Sequence, residues 1–247
     1  MKKNLMLAAS LGLTTSLMAI PVEITTFDGQ SGNGANSPWS GTPGHGPALE
    51  DNETEPRTHT GDIWDLEAFV YDPATAKLSL IGTFDFKNGV NGVGSGAIFL
   101  RAIGSPAWSY AYGLNFGNNS FTLYDSFTTI APTDVPASTP YSINTGTAHS
   151  IGTGSFTYST GILDPFGLGL MRQSGVGHNQ VDLGLGALPP SLLNGFDVHF
   201  TMTCGNDVIE GRYNRTGDRQ VPDGGATAVL FGVSGLGMLL VHRRTHK

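Results

Sequence analysis

The stretch FDVHFTMTC at residues 196–204 restricts the fold more than any other part of this chain. On an extended backbone Phe196, Val198, Phe200, Met202 and Cys204 fall on one face, and Asp197, His199, Thr201 and Thr203 on the other. That is the period of two that a half-buried strand requires. The same period runs through Leu78, Leu80, Gly82, Phe84 and Phe86, and through Trp108, Tyr110, Tyr112, Leu114 and Phe116 in WSYAYGLNF. Shorter strand candidates lie at 63–71, 96–103, 120–129, 154–157 and 207–213. Between them sit turn formers that tolerate a positive φ or bond their own backbone: Asp72-Pro73, Lys87-Asn88-Gly89, Gly117-Asn118-Asn119 and Gly205-Asn206-Asp207. Outside the chain ends no apolar pattern of helical period runs beyond about two turns, and no unit of roughly 20–50 residues repeats. Many short strands joined by tight turns predict an all-β, antiparallel, jelly-roll-like sandwich, one domain over 20–213. In this reading His199 points outward as an exposed polar residue, and Trp108 points inward to the core.

Composition narrows the partners. Charged residues make up 13% of the chain, against about 25% in an ordinary soluble domain. The net charge is -7 and the body of the chain has no Lys/Arg cluster, so the footprint needed to hold a phosphate backbone is missing and nucleic acid is not an expected partner. The single cysteine, Cys204, excludes an internal disulfide framework and reads as a small buried hydrophobe. Residues 26–61, crowded with Gly, Ser, Asn and Pro, have almost no large apolar side chain besides Trp39 and read as a segment laid against the sandwich.

Both ends read as addresses. Met1-Lys2-Lys3 followed by an apolar stretch over 5–20 has the layout of a secretory signal peptide, residues 1–19, removed by signal peptidase so that the mature chain starts near Ile20. At the other end a polar linker, 214–220, leads to Val221-Pro222-Asp223-Gly224-Gly225, then an apolar run over 226–241, then a basic tail containing Arg243 and Arg244. The run is about 16 residues long, a marginal span that inserts transiently, and the basic tail keeps its end on the cytoplasmic side. Motif, apolar run and Arg pair in that order resemble the PEP-CTERM protein-sorting signal in its Val-Pro-Asp form; a plain tail anchor is the alternative. The resemblance implies recognition by exosortase in a Gram-negative bacterium that makes exopolysaccharide. It further implies an inner-membrane intermediate, cleavage near the motif, and release or transfer to the cell surface or extracellular matrix. TMTCGNDVIEG and GDIWDLEAFVYD are similar to segments of extracellular domains that precede such signals and carry no assigned activity.

The chemistry-bearing residues offer several candidates. Asp62, Asp65 and Glu67 lie within six residues and supply the oxygen donors a calcium ion takes; they also suit a solvated strand face. Gly205-Asn206-Asp207 resembles one turn of an RTX calcium roll, but a single copy cannot complete six to eight oxygens, which favours a hairpin turn. The histidines at 45, 59, 149, 178 and 199 lack metal-ligand spacing. No nucleophile elbow is present, and Asp65 and Glu67 two apart on a strand do not flank a sugar bond as glycosidase carboxylates do. Trp39 is the candidate for stacking on a sugar ring. These features predict a non-enzymatic structural or adhesive protein of the matrix, linked to exopolysaccharide, the alternative being a carbohydrate-binding module or glycan-active enzyme on the same scaffold.

Overall fold

The computed structural model describes residues 21–28, 62–167, 177–186 and 189–215. The chain divides into two compact units, Met1–Tyr213 and Asn214–Lys247, and the second lies outside the described residues from 216 onward. Both flanking helices expected from the sequence also lie outside them; within the described residues no helix is long and apolar enough to cross a membrane.

The fold is all-β. Its strands are β1 (Val22–Glu23), β2 (Thr25–Asp28), β3 (Leu66–Asp72), β4 (Lys77–Gly82), β5 (Ile98–Ala102), β6 (Tyr110–Asn115), β7 (Ser120–Ser126), β8 (Thr129–Ile130), β9 (Ser142–Ile143), β10 (His149–Ile162), β11 (His178–Gly184), β12 (Gly195–Thr201) and β13 (Val208–Asn214). Eleven of them form one nearly closed sheet in the order β1-β3-β4-β11-β10-β7-β6-β5-β12-β13-β2, and β8 pairs with β9 alone. The sheet folds over itself into two layers through two shared stretches of chain. Strand β10 is one: residues 149–155 pair with β7 in one layer, and 156–162 with β11 in the other. Residues 22–28 are the second, since β1 pairs with β3 and β2 with β13.

Alternation fills the space between the layers. Leu78, Leu80, Val181 and Leu183 from one layer meet Ile98, Leu100, Tyr112, Phe196, Val198 and Phe200 from the other in a single cluster. Rings cross the gap edge to face, as in Tyr71–Phe196 with centroids 5.2 Å apart. In β3 the alternation slips. Leu66 pairs with Gly82 but Ala68 with Ile81, so Glu67 is an extra residue, a bulge that puts Leu66 and Phe69 into the same core although they are three apart. Gly82 is required there, because a Cβ would stand 2.8 Å from the Asp65 carbonyl oxygen.

Two local devices hold the layers in place. At Ile24, where the chain switches layers, the backbone N–H donates to Phe69 O at 2.8 Å and the carbonyl accepts from Arg212 N at 2.7 Å. Next to it the buried Thr25 hydroxyl accepts from Phe69 N at 2.9 Å. At the Lys87-Asn88-Gly89 turn, Asp85 accepts from the backbones of Lys87 and Asn88, from the Asn88 side chain and from the Tyr158 hydroxyl of β10. Burial is the largest single influence on Asp85 and pushes its pKa up, but these hydrogen bonds outweigh it and hold the carboxyl below its ordinary value.

Thr25→Val keeps the shape but leaves Phe69 N–H without its acceptor in the core; it is expected to lower unfolding stability by about 1–3 kcal/mol in urea titration. Because its folded pKa is depressed, Asp85 contributes stability fully above about pH 4, and that part is lost as pH falls through the lowered value. Urea midpoints of Asp85→Asn are therefore expected to fall less than those of the unaltered protein between about pH 6 and pH 3.

Candidate functional site

The motif residues Val221, Pro222, Asp223, Gly224, Gly225, Arg243 and Arg244 lie outside the described residues, as does Trp39. Asp62 opens a short 3-10 turn at Asp62–Trp64 ahead of β3. Asp65 and Glu67 do not form a solvated strand face: they are 0% and 2% exposed. The Asp65 carbonyl accepts from Thr83 N and Phe84 N, and the neighbouring Leu66 N–H donates to Asp207 Oδ2 at 2.7 Å. Glu67, turned by the bulge, faces His178, with Oε1 and Nε2 3.4 Å apart, while His178 Nδ1 donates to the Ile162 carbonyl at 3.0 Å. Among the described residues no group of three or more His, Cys, Asp or Glu is arranged to hold a metal ion.

Gly205-Asn206-Asp207 is the β12–β13 turn. Gly205 has φ +72 and its N–H donates to Met202 O, and Asp207 ties the start of β13 to the start of β3. Cys204 is buried, and burial pushes its thiol pKa up, so it is a packing residue held away from thiolate chemistry.

His199 departs from the sequence reading. It is 1% exposed, because the chain between β7 and β10 folds back over the outer face of its layer. Residues 131–143 are pinned there by Thr133 N to Thr203 O, Val135 N to Cys204 O and Ala97 N to Tyr141 O. His199 Nε2 donates to the Pro140 carbonyl at 2.9 Å, and Nδ1 lies 3.2 Å from Glu210 Oε1. Trp108 is likewise outside the main core. It stands before β6 begins, packs half-buried against Phe99 and Ala111 on the outer face, and tilts over His199 with ring centroids 5.3 Å apart.

This outer face brings charged side chains from three strands together. Asp197 of β12 is nearly buried and stands between two arginines. Arg101 Nε of β5 donates to Oδ2 at 3.1 Å; Arg212 of β13 donates Nε to Oδ1 at 2.6 Å and Nη2 to Oδ2 at 3.2 Å. The Arg101 guanidinium stacks over Trp108, 4.2 Å from the ring centroid. The hydrogen bond to Asp197, then the charges of Asp197 and Glu210, raise the pKa of Arg212. The arrangement brings two arginines, two carboxylates (Asp197 and Glu210) and the Trp108 ring together.

Sequence reasoning missed Arg101, Arg212 and Glu210. The signal was present in the pattern: Asp197 and His199 share the polar phase of FDVHFTMTC, and Arg101 and Glu210 alternate against Leu100 and Ile209 in the neighbouring strands. Compared with known proteins, the chain matches no protein-family model, no curated protein and no solved structure.

Removing Asp197 leaves two guanidinium groups without their shared counter-ion. Asp197→Ala is expected to cost about 2 kcal/mol, below the roughly 3–5 of a fully buried pair because Arg212 is half exposed, and Arg212→Gln less than about 1 kcal/mol. Urea unfolding of the two variants measures the difference.

Proposed function

We propose that this chain is an exported surface or matrix protein of an exopolysaccharide-producing Gram-negative bacterium, sorted by exosortase, whose β domain serves a non-catalytic structural or adhesive role. The observation that carries the reading is the ordered C-terminal sequence: Val221-Pro222-Asp223-Gly224-Gly225, the apolar run 226–241 and the pair Arg243 and Arg244. The N-terminal signal directs export, and the lone cysteine leaves an exported domain to be held by packing.

Support for the non-catalytic part comes from the carboxylates. Asp65 and Glu67, the pair a glycosidase reading would recruit, are buried, with Glu67 against His178. A sugar bond cannot reach them in this conformation. At the margin of the outer face Arg101, Arg212 and Glu210 are part-exposed, which offers fixed charges to a partner.

Intact mass of the protein from cells with and without exosortase tests the sorting. The expected result is a chain lacking the apolar run and the basic tail in the first and retaining them in the second; equal masses that keep residues 241–247 would overturn the reading.

A further inference from the structure

The last strand leaves the β domain beside two uncharged loops. Phe196 of β12 stands opposite Ala102 of β5, and Arg212 of β13 bonds Asp197 of β12, so Ile103, Gly195 and Asn214 lie at one end of their layer. Two loops project there: the β5–β6 tip over 103–109, and the 3-10 turn Pro190–Leu192 with Leu193 after it. The Tyr110 hydroxyl ties them together, 3.3 Å from Ser191 Oγ. Residues 102–110 and 185–196 contain no charged side chain. Ile103 is 39% and Leu193 46% exposed, and Pro106, Ala107 and Pro190 are exposed as well. Single exposed apolar residues are ordinary, but an uncharged end that gathers several marks a contact surface.

The backbone of these loops is prepared to leave water. In the tip Ser105 N donates to the Ala102 carbonyl at 2.9 Å and Ser109 N to the Leu100 carbonyl at 3.0 Å. In the turn Leu192 N donates to Pro189 O at 2.8 Å and Leu193 N to Pro190 O at 3.4 Å. Pro106, Pro189 and Pro190 have no N–H to satisfy. These groups therefore lose no partner on entering apolar surroundings, where an unpaired donor is costly. Trp108 and Tyr110, half-buried at the base of the tip, are residue types that settle at a membrane–water boundary.

Connectivity selects the occupant. Residues 215–225 run from Asn214 to the apolar run 226–241 and reach at most about 40 Å. A chain inserted through that run is tied to the bilayer by this end, at the high local concentration that a short tether gives. We infer that the end formed by 103–107 and 190–193 rests on the lipid surface while the chain is inserted, with Ile103 and Leu193 among the headgroups. Two short loops make a weak, reversible anchor, so the contact is released when the tether is cut. This deepens the sorting part of the function proposed above and rests on 226–241 being a membrane-inserting run.

The test uses the intact full-length chain in phosphatidylcholine vesicles that carry a nitroxide quencher on a headgroup lipid. A fluorophore is attached at Ala107→Cys or, at the opposite end, at Asn118→Cys; Cys204 is buried, and the unaltered protein is the labelling blank. Expected is quenching at 107 and none at 118, unchanged between about 50 and about 500 mM salt because the contact is apolar and unscreened. Changing Ile103→Ser and Leu193→Ser together is expected to abolish quenching at 107, with thermal unfolding as the check that this variant is folded. Where it is not, the comparison of 107 with 118 decides. Equal quenching at the two positions, no quenching at 107 in chains that float with the vesicles, or quenching undiminished in the folded double variant would overturn the contact and leave the inserting run standing. Chains that do not float with the vesicles would overturn the run and the contact together.

Discussion

The architecture depends on one residue's worth of backbone. At Ile24 the chain leaves its pairing with β3 and enters its pairing with β13, bonding to the first strand through its N–H and to the second through its carbonyl. Without that switch the β3 and β13 edges would face solvent as rows of unpaired donors and acceptors, the liability that edge strands carry. Packing enforces it: a Cβ at Gly211 would stand 2.9 Å from Val198 Cγ1 and 3.0 Å from the Ile24 carbonyl oxygen. Only glycine lets β13 approach so closely, so closure of the sheet and packing of the core are one constraint.

That constraint explains what the sequence did and did not disclose. Strands whose alternation carries large apolar residues, such as FDVHFTMTC and KLSLIG, could be read directly. Strand β11 was not foreseen because HNQVDLG has only Val181 and Leu183 on its inner face, with His178, Gln180 and Asp182 opposite them. Most of β10 was missed too, since it is built from Gly, Ser and Thr. The errors over His199 and Trp108 have a different cause. Period two reports which residues share a face, and it carries no information about whether a distant loop will cover the second face. Here residues 131–143 cover it, so a strand that looked half-buried is buried on both sides. The bulge at Glu67 hid the phase of β3 in a similar way, because one extra residue shifts everything before it to the other face.

Polar burial on the outer face follows from that cover. The loop takes water from His199 and supplies the Pro140 carbonyl as one partner for the imidazole, while the neighbouring strands supply Glu210 for the imidazole and Arg101 and Arg212 for the enclosed Asp197 carboxylate. The arginines lie at the margin of the covered region, which is why each keeps part of its guanidinium in water. An enclosed carboxylate thus fixes two arginines around it, and the structural need of the fold produces the charged cluster.

The same economy of charge governs β10. A strand of 14 residues that pairs with β7 along 149–155 and with β11 along 156–162 leaves one edge of each half unpaired among the described residues. Residues 150–163 contain no charged side chain and no proline, the usual guards of an exposed edge. Geometry takes their place. Register shifts fall between His149 and Gly152 in the first half and between Ser159 and Ile162 in the second, where Gly161 sits at φ +73. Each shift twists the strand and interrupts the regular spacing of donors and acceptors that a second chain would need for pairing. In a chain with 13% charged residues, irregular backbone does at this edge what lysine does in more highly charged proteins.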